Sequence, residues 1–218
     1  MSDALALHSL PLFPLRTVLF PGGYLPLQIF EVRYLDMIGK CHKLGSPFGV
    51  VSLTQTSEVQ RPPSTSPGDE LAQEIFYPTG TLALITDLSR SQPGLMLIQC
   101  KGLQRFRVTS RNILKHGLWV GDVDVIPHDQ QVPIPDDLTP LATTLLRVVA
   151  TLKLQNTTPE QMPIQPPYQF EDCAWVANRW CELLPMPTEL KHRLMALDNP
   201  LLRLELVGDL LERHGIQT

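Results

Sequence analysis

The first half of the sequence alternates short apolar runs with proline- and glycine-containing turns, a pattern that predicts β-strands. Two runs, at residues 10–15 and 24–30, are separated by the turn Pro21-Gly22-Gly23. Because proline cannot donate a ladder hydrogen bond, the first run is predicted to be an edge strand or a bulged strand. Further apolar runs occur at residues 48–53, 81–85, 95–98, 106–108 and 118–126. Short, turn-separated strands of this kind predict a small barrel or closed sheet.

Two segments interrupt the strand pattern. Residues 31–44 predict a helix, since apolar residues share one helical face, Glu31 suits the first turn and Gly45 suits the end. The apolar residues of this face are Val32, Leu35, Met37, Ile38 and Cys41. Residues 55–70 contain three prolines and a single large aliphatic side chain, and therefore predict a long mobile loop.

The second half of the sequence predicts helices. Thr139 is expected to cap a helix that has Pro140 at its first position, and Thr188 to cap a shorter helix. Asn199-Pro200 is expected to open the last helix. Another predicted helix carries Phe170, Cys173, Ala174, Ala177, Cys181 and Leu184 on one face. We therefore divide the chain into a β-rich part (1–126), a connector (127–137) and a helical part (138–218).

Charge and cysteine content narrow the possible functions. The chain has 18 basic and 22 acidic side chains, and this formal charge of −4 argues against general binding of nucleic acid or anionic membranes. The four cysteines form no Cys-x-x-Cys pair, which favours reduced, buried thiols. The sequence has no apolar run of about 20 residues and no basic amino-terminal segment, so we expect a cytoplasmic protein without a membrane span or a secretory signal.

Common motifs of enzyme active sites are absent from the sequence. It contains no phosphate-binding loop, dinucleotide fingerprint, His-Glu-x-x-His motif or Gly-x-Ser-x-Gly elbow. The six histidines never fall within five residues of one another, so no local metal cluster is predicted. Cys41 and His42 would point about 100° apart on a helix and make a poor nucleophile–base pair. We expect no enzymatic activity, cofactor or metal, although a catalytic site assembled from distant residues is an open alternative.

A basic segment lies at the middle of the chain. Arg105 and Arg107 flank Phe106, so strand alternation predicts that both arginines project outward while Phe106 points inward. Together with Arg111, they could form a ridge that binds RNA or another anion. The alternative is a solvated outer face that has acidic neighbours.

Four residues near the first turn are candidates for protein recognition. Tyr24 and Leu25 lie beside the proline-rich strand and belong either to the core or to an exposed hydrophobic patch. Glu31 and Arg33 either contact a partner or pair with each other, or with Arg16, to fix the junction between sheet and helix.

Several blocks of the sequence resemble a known family. Leu10-Pro-Leu-Phe-Pro-Leu-Arg16 and the block from Val18 to Met37 resemble the amino-terminal substrate-binding (LON) domain of ATP-dependent Lon proteases, and are most similar to free-standing bacterial proteins made of that domain alone. Gly102-Leu-Gln-Arg-Phe-Arg-Val108 resembles a later strand motif, and Leu183-Leu-Pro with Leu190 and Leu194 resembles the helical portion. Val32 departs from the pattern, because the free-standing proteins often have proline there.

The resemblance implies an α+β fold, in which a PUA-like β pseudo-barrel with one helix is followed by a carboxy-terminal α-helical bundle. It also implies binding of unfolded or partner proteins and peptides. In the full proteases a nucleotide-driven motor and a Ser–Lys peptidase domain follow, whereas this sequence ends at Thr218, so we expect no proteolysis by this chain alone.

Our first hypothesis is a non-catalytic protein- or peptide-binding module, in which a peptide joins the amino-terminal apolar edge by strand addition. Its candidate residues are Tyr24, Leu25, Glu31, Arg33 and Arg105. The alternative is RNA binding through the barrel by Arg105, Arg107 and Arg111.

Overall fold

The structure, a computed structural model, describes residues 5–54, 75–155 and 162–216, and the predicted loop 55–70 lies outside this part of the chain. The described residues form a mixed α+β fold with six strands and five helices. The strands are β1 (Ala6–Leu15), β2 (Tyr24–Ile29), β3 (Phe48–Leu53), β4 (Phe76–Gln92), β5 (Leu95–Ile113) and β6 (Trp119–Val125). The helices are α1 (Val32–Leu44), α2 (Thr139–Leu154), α3 (Cys173–Leu183), α4 (Thr188–Ala196) and α5 (Pro200–Arg213).

The chain forms two compact units. The first contains the residues up to Pro21 together with Leu25–Pro127, and the second contains Gly22–Tyr24 together with the residues from His128 onward. The first unit therefore holds helix α1 and nearly all strand residues, while the second holds α2 to α5. We call them the β unit and the helical unit.

The sheet is closed by a strand that has more than two partners. Its order is β2-β5-β4-β3-β1-β6, and β5 also pairs with β6, so five strands form a closed circuit. The closure is visible at Phe106 of β5, which lies opposite Gly80 of β4 and Val125 of β6. Among the described strands, β2 pairs with β5 alone and lies outside the circuit.

Strand β1 is bulged, as predicted, but it is not an edge strand. Its register shifts around Ser9, whose φ of 51° is in the left-handed region. It pairs with β6 from Ala6 to Leu12 and with β3 from Leu12 to Leu15. Because only Leu12 has partners on both sides, the nitrogens of the prolines in β1 can face away from a ladder. The prediction that β1 offers a free edge for strand addition is therefore wrong.

The segment between β1 and β2 is fastened to the sheet by buried hydroxyl groups. Ser52 Oγ donates to the carbonyl oxygen of Thr17 over 2.9 Å, and Thr81 Oγ1 donates to that of Leu19 over 2.6 Å. Both hydroxyl-bearing residues are buried. Carbonyl groups that have no ladder partner are thus satisfied by neutral side chains of β3 and β4.

Gly102 of β5 completes this attachment. A Cβ at this position would collide with the carbonyl oxygen of Phe20, and backbone cannot move aside as a flexible side chain can. Only glycine allows the two segments to approach this closely. The close approach joins two of the blocks of sequence that carry the family resemblance, 18–37 and 102–108.

Helix α1 contributes one face to the larger core cluster of the β unit. Met37, Ile38 and Cys41 lie in this cluster, as the helical spacing predicts. Val32, which was predicted on the same face, is instead exposed. The helix ends at Gly45, which has a φ of 61°, as predicted.

Two helix starts in the helical unit differ from prediction. Thr139 is the first residue of α2 rather than its cap, and its hydroxyl donates to the carbonyl of Pro135 over 3.3 Å. Thr188 is likewise the first residue of α4, and Pro187 precedes it at the cap position. In both cases the helix begins one residue earlier than the preference of threonine for the cap position suggests.

The other two helix starts have side-chain caps. Asp172 caps α3 by accepting from the backbone N–H of Trp175 over 2.9 Å, so this helix starts after Phe170 rather than including it. Asn199 caps α5 by accepting from the N–H of Leu202 over 3.1 Å, which confirms the predicted start.

Candidate protein-binding surface

The turn from β2 into α1 exposes two large apolar side chains. Phe30 is 69% exposed and Val32 is 82% exposed, and the exposed Glu31 lies between them. We call Leu25, Phe30, Glu31, Val32 and Arg33 the β2–α1 patch; all five belong to the β unit. Adjacent exposed apolar groups with polar neighbours are typical of protein recognition surfaces.

Arg33 holds the start of α1 in place. Its Nε donates to Glu31 Oε2 over 2.8 Å, and its Nη1 donates to the carbonyl oxygen of Gly117 over 2.8 Å. Its guanidinium carbon lies 4.6 Å from the ring centroid of Tyr34. The sequence allowed Glu31 and Arg33 either to contact a partner or to pair within the chain, and in the structure the two side chains form an ion pair. Glu31 precedes the first turn and its carboxylate caps no N–H of the helix.

Tyr24 and Leu25 fall in different compact units. Leu25 is partly buried against the core cluster that contains Met37 and Ile38 of α1. Tyr24 is half-buried and belongs, with Gly22, to the helical unit. Within that unit Arg179 Nη1 donates to the carbonyl oxygen of Gly22 over 2.6 Å, which fixes this short segment.

Arg105 does not project into solvent. It is only 3% exposed, and the neighbouring Phe106 is fully buried. Strand alternation predicts which positions share a face, but it does not reveal which stretch of that face other segments cover. The prediction that Arg105 is exposed for direct contact is therefore wrong.

The other two arginines of the predicted ridge have separate surroundings. Arg107 is exposed and lies directly opposite Asp124 in the β5–β6 ladder. The guanidinium carbon of Arg111 lies 5.0 Å from the ring centroid of Phe76 and 5.6 Å from that of Trp119. With Arg105 buried, the three arginines do not form one exposed ridge.

A serine, a histidine and an aspartate meet on the surface of the β unit, where sequence spacing gave no signal. Asp122 accepts from the Ser9 N–H over 3.0 Å and from Ser110 Oγ over 2.9 Å, and His8 Nδ1 lies 3.4 Å from the same carboxylate. The Ser9 N–H, followed by the Ser110 hydroxyl, lowers the pKa of the Asp122 carboxyl. In a hydrolytic triad the histidine lies between serine and aspartate. Here the aspartate lies between the other two, so the histidine does not activate the serine.

The cysteines are all free and buried, as predicted. Burial raises the pKa of each thiol, and raises it to about 12 for Cys100 and Cys181. Since the thiolate is the nucleophilic form, burial suppresses the reactivity of these groups. The same holds for Cys41, whose neighbour in sequence is His42.

The described residues offer neither a cluster of metal ligands nor a helix that could span a membrane. They contain no group of three or more histidine, cysteine, aspartate or glutamate residues that could hold a metal ion. None of their helices is both long enough and apolar enough to cross a bilayer.

The fold and the exposed patch define a class: an α+β domain that presents apolar side chains at a sheet–helix junction. A sequence model of the ATP-dependent protease La (LON) substrate-binding domain matches residues 9–213, so the chain belongs to this family. A comparison with curated proteins found no match.

Two solved structures are similar to this chain. The crystal structure of a Lon N-terminal domain protein from Xanthomonas campestris has 29% identity and a TM-score of 0.68, with 92% of this chain and 97% of that chain covered. The N-terminal domain of the Mycobacterium avium complex Lon protease has 15% identity and a TM-score of 0.55, with 94% and 99% covered, and shows the shared fold alone.

Proposed function

We propose that this chain is a non-catalytic module that binds unfolded protein segments through the β2–α1 patch. Family membership supports substrate binding as the type of function. The observation that carries the location is the exposure of Phe30 and Val32 beside β2, which pairs with one strand among those the structure describes. An unfolded segment can add as a further strand on the side of β2 where no described strand pairs, and contact the apolar side chains next to it.

The other candidate residues take different roles in this proposal. Leu25 lies on β2, where it would flank an added strand, whereas Tyr24 belongs to the helical unit and is not part of the β2–α1 patch. Glu31 offers an exposed carboxylate, and Arg33 positions α1 through its bond to Gly117. Arg105, being buried, supports the sheet and makes no direct contact with the partner.

Finer features of the fold belong to the same proposal. We assign the closed circuit of strands to a PUA-like pseudo-barrel and α2 to α5 to a helical bundle. We keep 1–126, 127–137 and 138–218 as the functional divisions of the chain, and we place the protein in the cytoplasm.

Retention of a denatured protein tests the proposal. The immobilised full chain is incubated with reduced, denatured casein at micromolar concentration, and we expect retention. The double variant Phe30→Ser, Val32→Ser should lose most of it, because it removes the exposed apolar area. Leu44→Ser is the matched control, since Leu44 is 76% exposed at the other end of α1. Equal retention by both variants would contradict the proposal.

A further inference from the structure

The helical unit contains a cavity, and none of the residues that line it belongs to the β2–α1 patch. Its volume is about 630 Å³, and it lies between Gln131–Pro133 and Tyr168–Asp172. The two walls are joined by backbone bonds, including Cys173 N–H to the Val132 carbonyl over 2.9 Å. The size is that of a small-ligand or side-chain pocket.

One wall of the cavity carries two aromatic rings. Tyr168 and Phe170 are half-buried, and their rings are stacked with centroids 5.6 Å apart and planes inclined by 25°. The buried Trp175 of α3 packs edge-on against Phe170 at 5.0 Å and against Tyr168 at 6.2 Å. Because Trp175 is buried and lies in the first turn of α3, whose start is capped by Asp172, its contacts hold the Tyr168 and Phe170 rings in place.

Charged groups of both signs lie around the cavity. Lys153 Nζ lies 4.3 Å from the centroid of Tyr168, so this ring contacts an ammonium group with which a cationic ligand would compete. Glu171 is exposed, and among the described residues its carboxylate has no hydrogen bond or ion pair. Asp172 is different, since it accepts from the N–H groups of Val132 and Trp175.

The net charge of this part of the chain points the same way. Residues 127–218 carry 7 basic and 12 acidic side chains, a net charge of −5. Three of those cations, Arg179, Arg193 and Arg203, are already paired with carboxylates. Each of these pairs also uses one carboxylate, so the net charge of −5 remains and attracts an additional positive charge.

We propose that this cavity binds an arginine side chain of an extended polypeptide. A guanidinium group is planar and stacks on aromatic faces, which suits the Tyr168–Phe170 wall. The Glu171 carboxylate can pair with it at the rim. The site gives the chain a preference for basic segments that the β2–α1 patch, with its apolar surface, does not supply.

Fluorophore-labelled, unstructured glycine–serine peptides with one variable central residue test this proposal. Binding to the full chain is followed by fluorescence anisotropy for central arginine, lysine, norleucine and glutamate. We expect arginine to bind most tightly, lysine less tightly, and norleucine and glutamate about tenfold more weakly than arginine. Equal binding of norleucine and arginine would show plain apolar recognition and would overturn the proposal, as would the absence of binding by every peptide.

Variants assign the binding to the cavity. Phe170→Ala should weaken the arginine peptide about tenfold, and Glu171→Gln should weaken it about threefold without changing the norleucine peptide. Lys153→Gln removes a competing cation and should tighten the arginine peptide about twofold. Because Glu171 and Lys153 are exposed, these two variants should fold even if Phe170→Ala does not. Unchanged arginine binding in both would overturn the proposal.

The Phe30→Ser, Val32→Ser variant separates this site from the proposed function. It should lose casein retention yet keep the arginine preference, because the cavity lies in the helical unit. Loss of arginine binding in this variant would locate the peptide at the β2–α1 patch and overturn the second site. Loss of casein retention alone concerns only the first proposal.

Discussion

The two units satisfy backbone carbonyls outside their strands and helices by different means. In the β unit the carbonyls of Thr17 and Leu19 accept from the hydroxyls of Ser52 and Thr81. In the helical unit the carbonyls of Gly22 and Leu197 accept from guanidinium groups, those of Arg179 and Arg203. The hydroxyls are neutral, whereas the guanidinium groups are buried charges, each of which also pairs with a carboxylate. The β unit contains arginines as well, since Arg33 donates to the Gly117 carbonyl and Arg105 is buried, so the difference concerns these attachments and not every group of each unit.

The difference predicts which substitutions and which conditions destabilise each unit. A neutral hydroxyl keeps the same charge at every ordinary pH, so the attachment of the segment between β1 and β2 depends chiefly on steric fit. A buried guanidinium must have a carboxylate or several acceptors, because an uncompensated buried charge is costly. The helical unit should therefore be sensitive to loss of a charge partner and to pH.

Removal of Arg203 should have the largest effect. Its Nη1 donates to Asp129 Oδ2 over 2.7 Å and to Asn178 Oδ1 over 3.0 Å, and the residue is fully buried. Arg203→Ala leaves the Asp129 carboxylate without this partner, and we expect a loss of about 3–5 kcal/mol in the free energy of unfolding. Urea denaturation measures it.

Arg193→Ala is the matched control for this variant. Arg193 also pairs with a carboxylate, that of Glu189, but both side chains are solvent-exposed. Its replacement should cost at most about 0.5 kcal/mol. Similar losses for the two variants would mean that burial of the charge is not what distinguishes the helical unit.

Gly102→Ala tests whether the stability of the β unit depends on the close approach of Gly102 to Phe20. The added methyl group collides with the backbone carbonyl of Phe20, so we expect a loss of about 3 kcal/mol in the free energy of unfolding. Gly39→Ala is the control, because Gly39 lies inside α1 and a Cβ there meets no atom within 4 Å. That change should stabilise the chain by about 0.5–1 kcal/mol. If Gly102→Ala is also neutral or stabilising, the close approach is not essential.

The sequence predicted elements whose signals are local. Helix α1 ends at Gly45 and α5 begins after Asn199, because glycine and asparagine satisfy helix ends by their own chemistry. The apolar face of α1 was predicted correctly at Met37 and Ile38, since those positions follow the helical period.

Features that depend on distant segments could not be predicted in this way. The burial of Arg105 depends on what covers that side of β5, and the paired state of β1 depends on β6, which follows it by about a hundred residues. Asp122 likewise gathers Ser9 and Ser110 from separate strands. The candidate patch was predicted in part, because Glu31 and Arg33 carry the family resemblance. Its most exposed members, Phe30 and Val32, gave only the signals of a strand end and a helix face.

The pH dependence of stability should distinguish the units further. Burial raises the pKa of Glu182 to about 7 and outweighs the attraction of Arg179 and Lys191. The folded chain therefore holds this proton more tightly than the unfolded chain, whose carboxyl has an ordinary pKa near 4.5. The contribution is fully present below about pH 4.5 and is lost as the pH rises towards 7. We expect a decrease of about 1–3 kcal/mol in the free energy of unfolding from this group.

Urea denaturation of the wild type and Glu182→Gln between pH 5 and 8 isolates this contribution. The amide does not titrate, so the difference between the two proteins should change across this range. Glu189→Gln alters a carboxylate on the solvent-exposed side of α4 and should leave the slope of the wild type unchanged. Parallel curves for wild type and Glu182→Gln would show that Glu182 does not confer pH sensitivity on the helical unit.

The smallest expected effect concerns backbone strain in the β unit. Ser9 has a φ of 51°, a conformation that costs an L-residue roughly 1–2 kcal/mol, whereas glycine adopts it freely. Ser9→Gly keeps the backbone N–H that donates to Asp122, so the strain is relieved without loss of that bond. The greater freedom of glycine in the unfolded chain offsets part of the gain, and a net stabilisation below about 1 kcal/mol is expected. Ser9→Val, whose branched side chain tolerates this φ poorly, should instead destabilise the chain. If thermal denaturation finds both variants equal to the wild type, the bulge in β1 stores no strain, and backbone geometry at this position contributes little to the stability of the β unit.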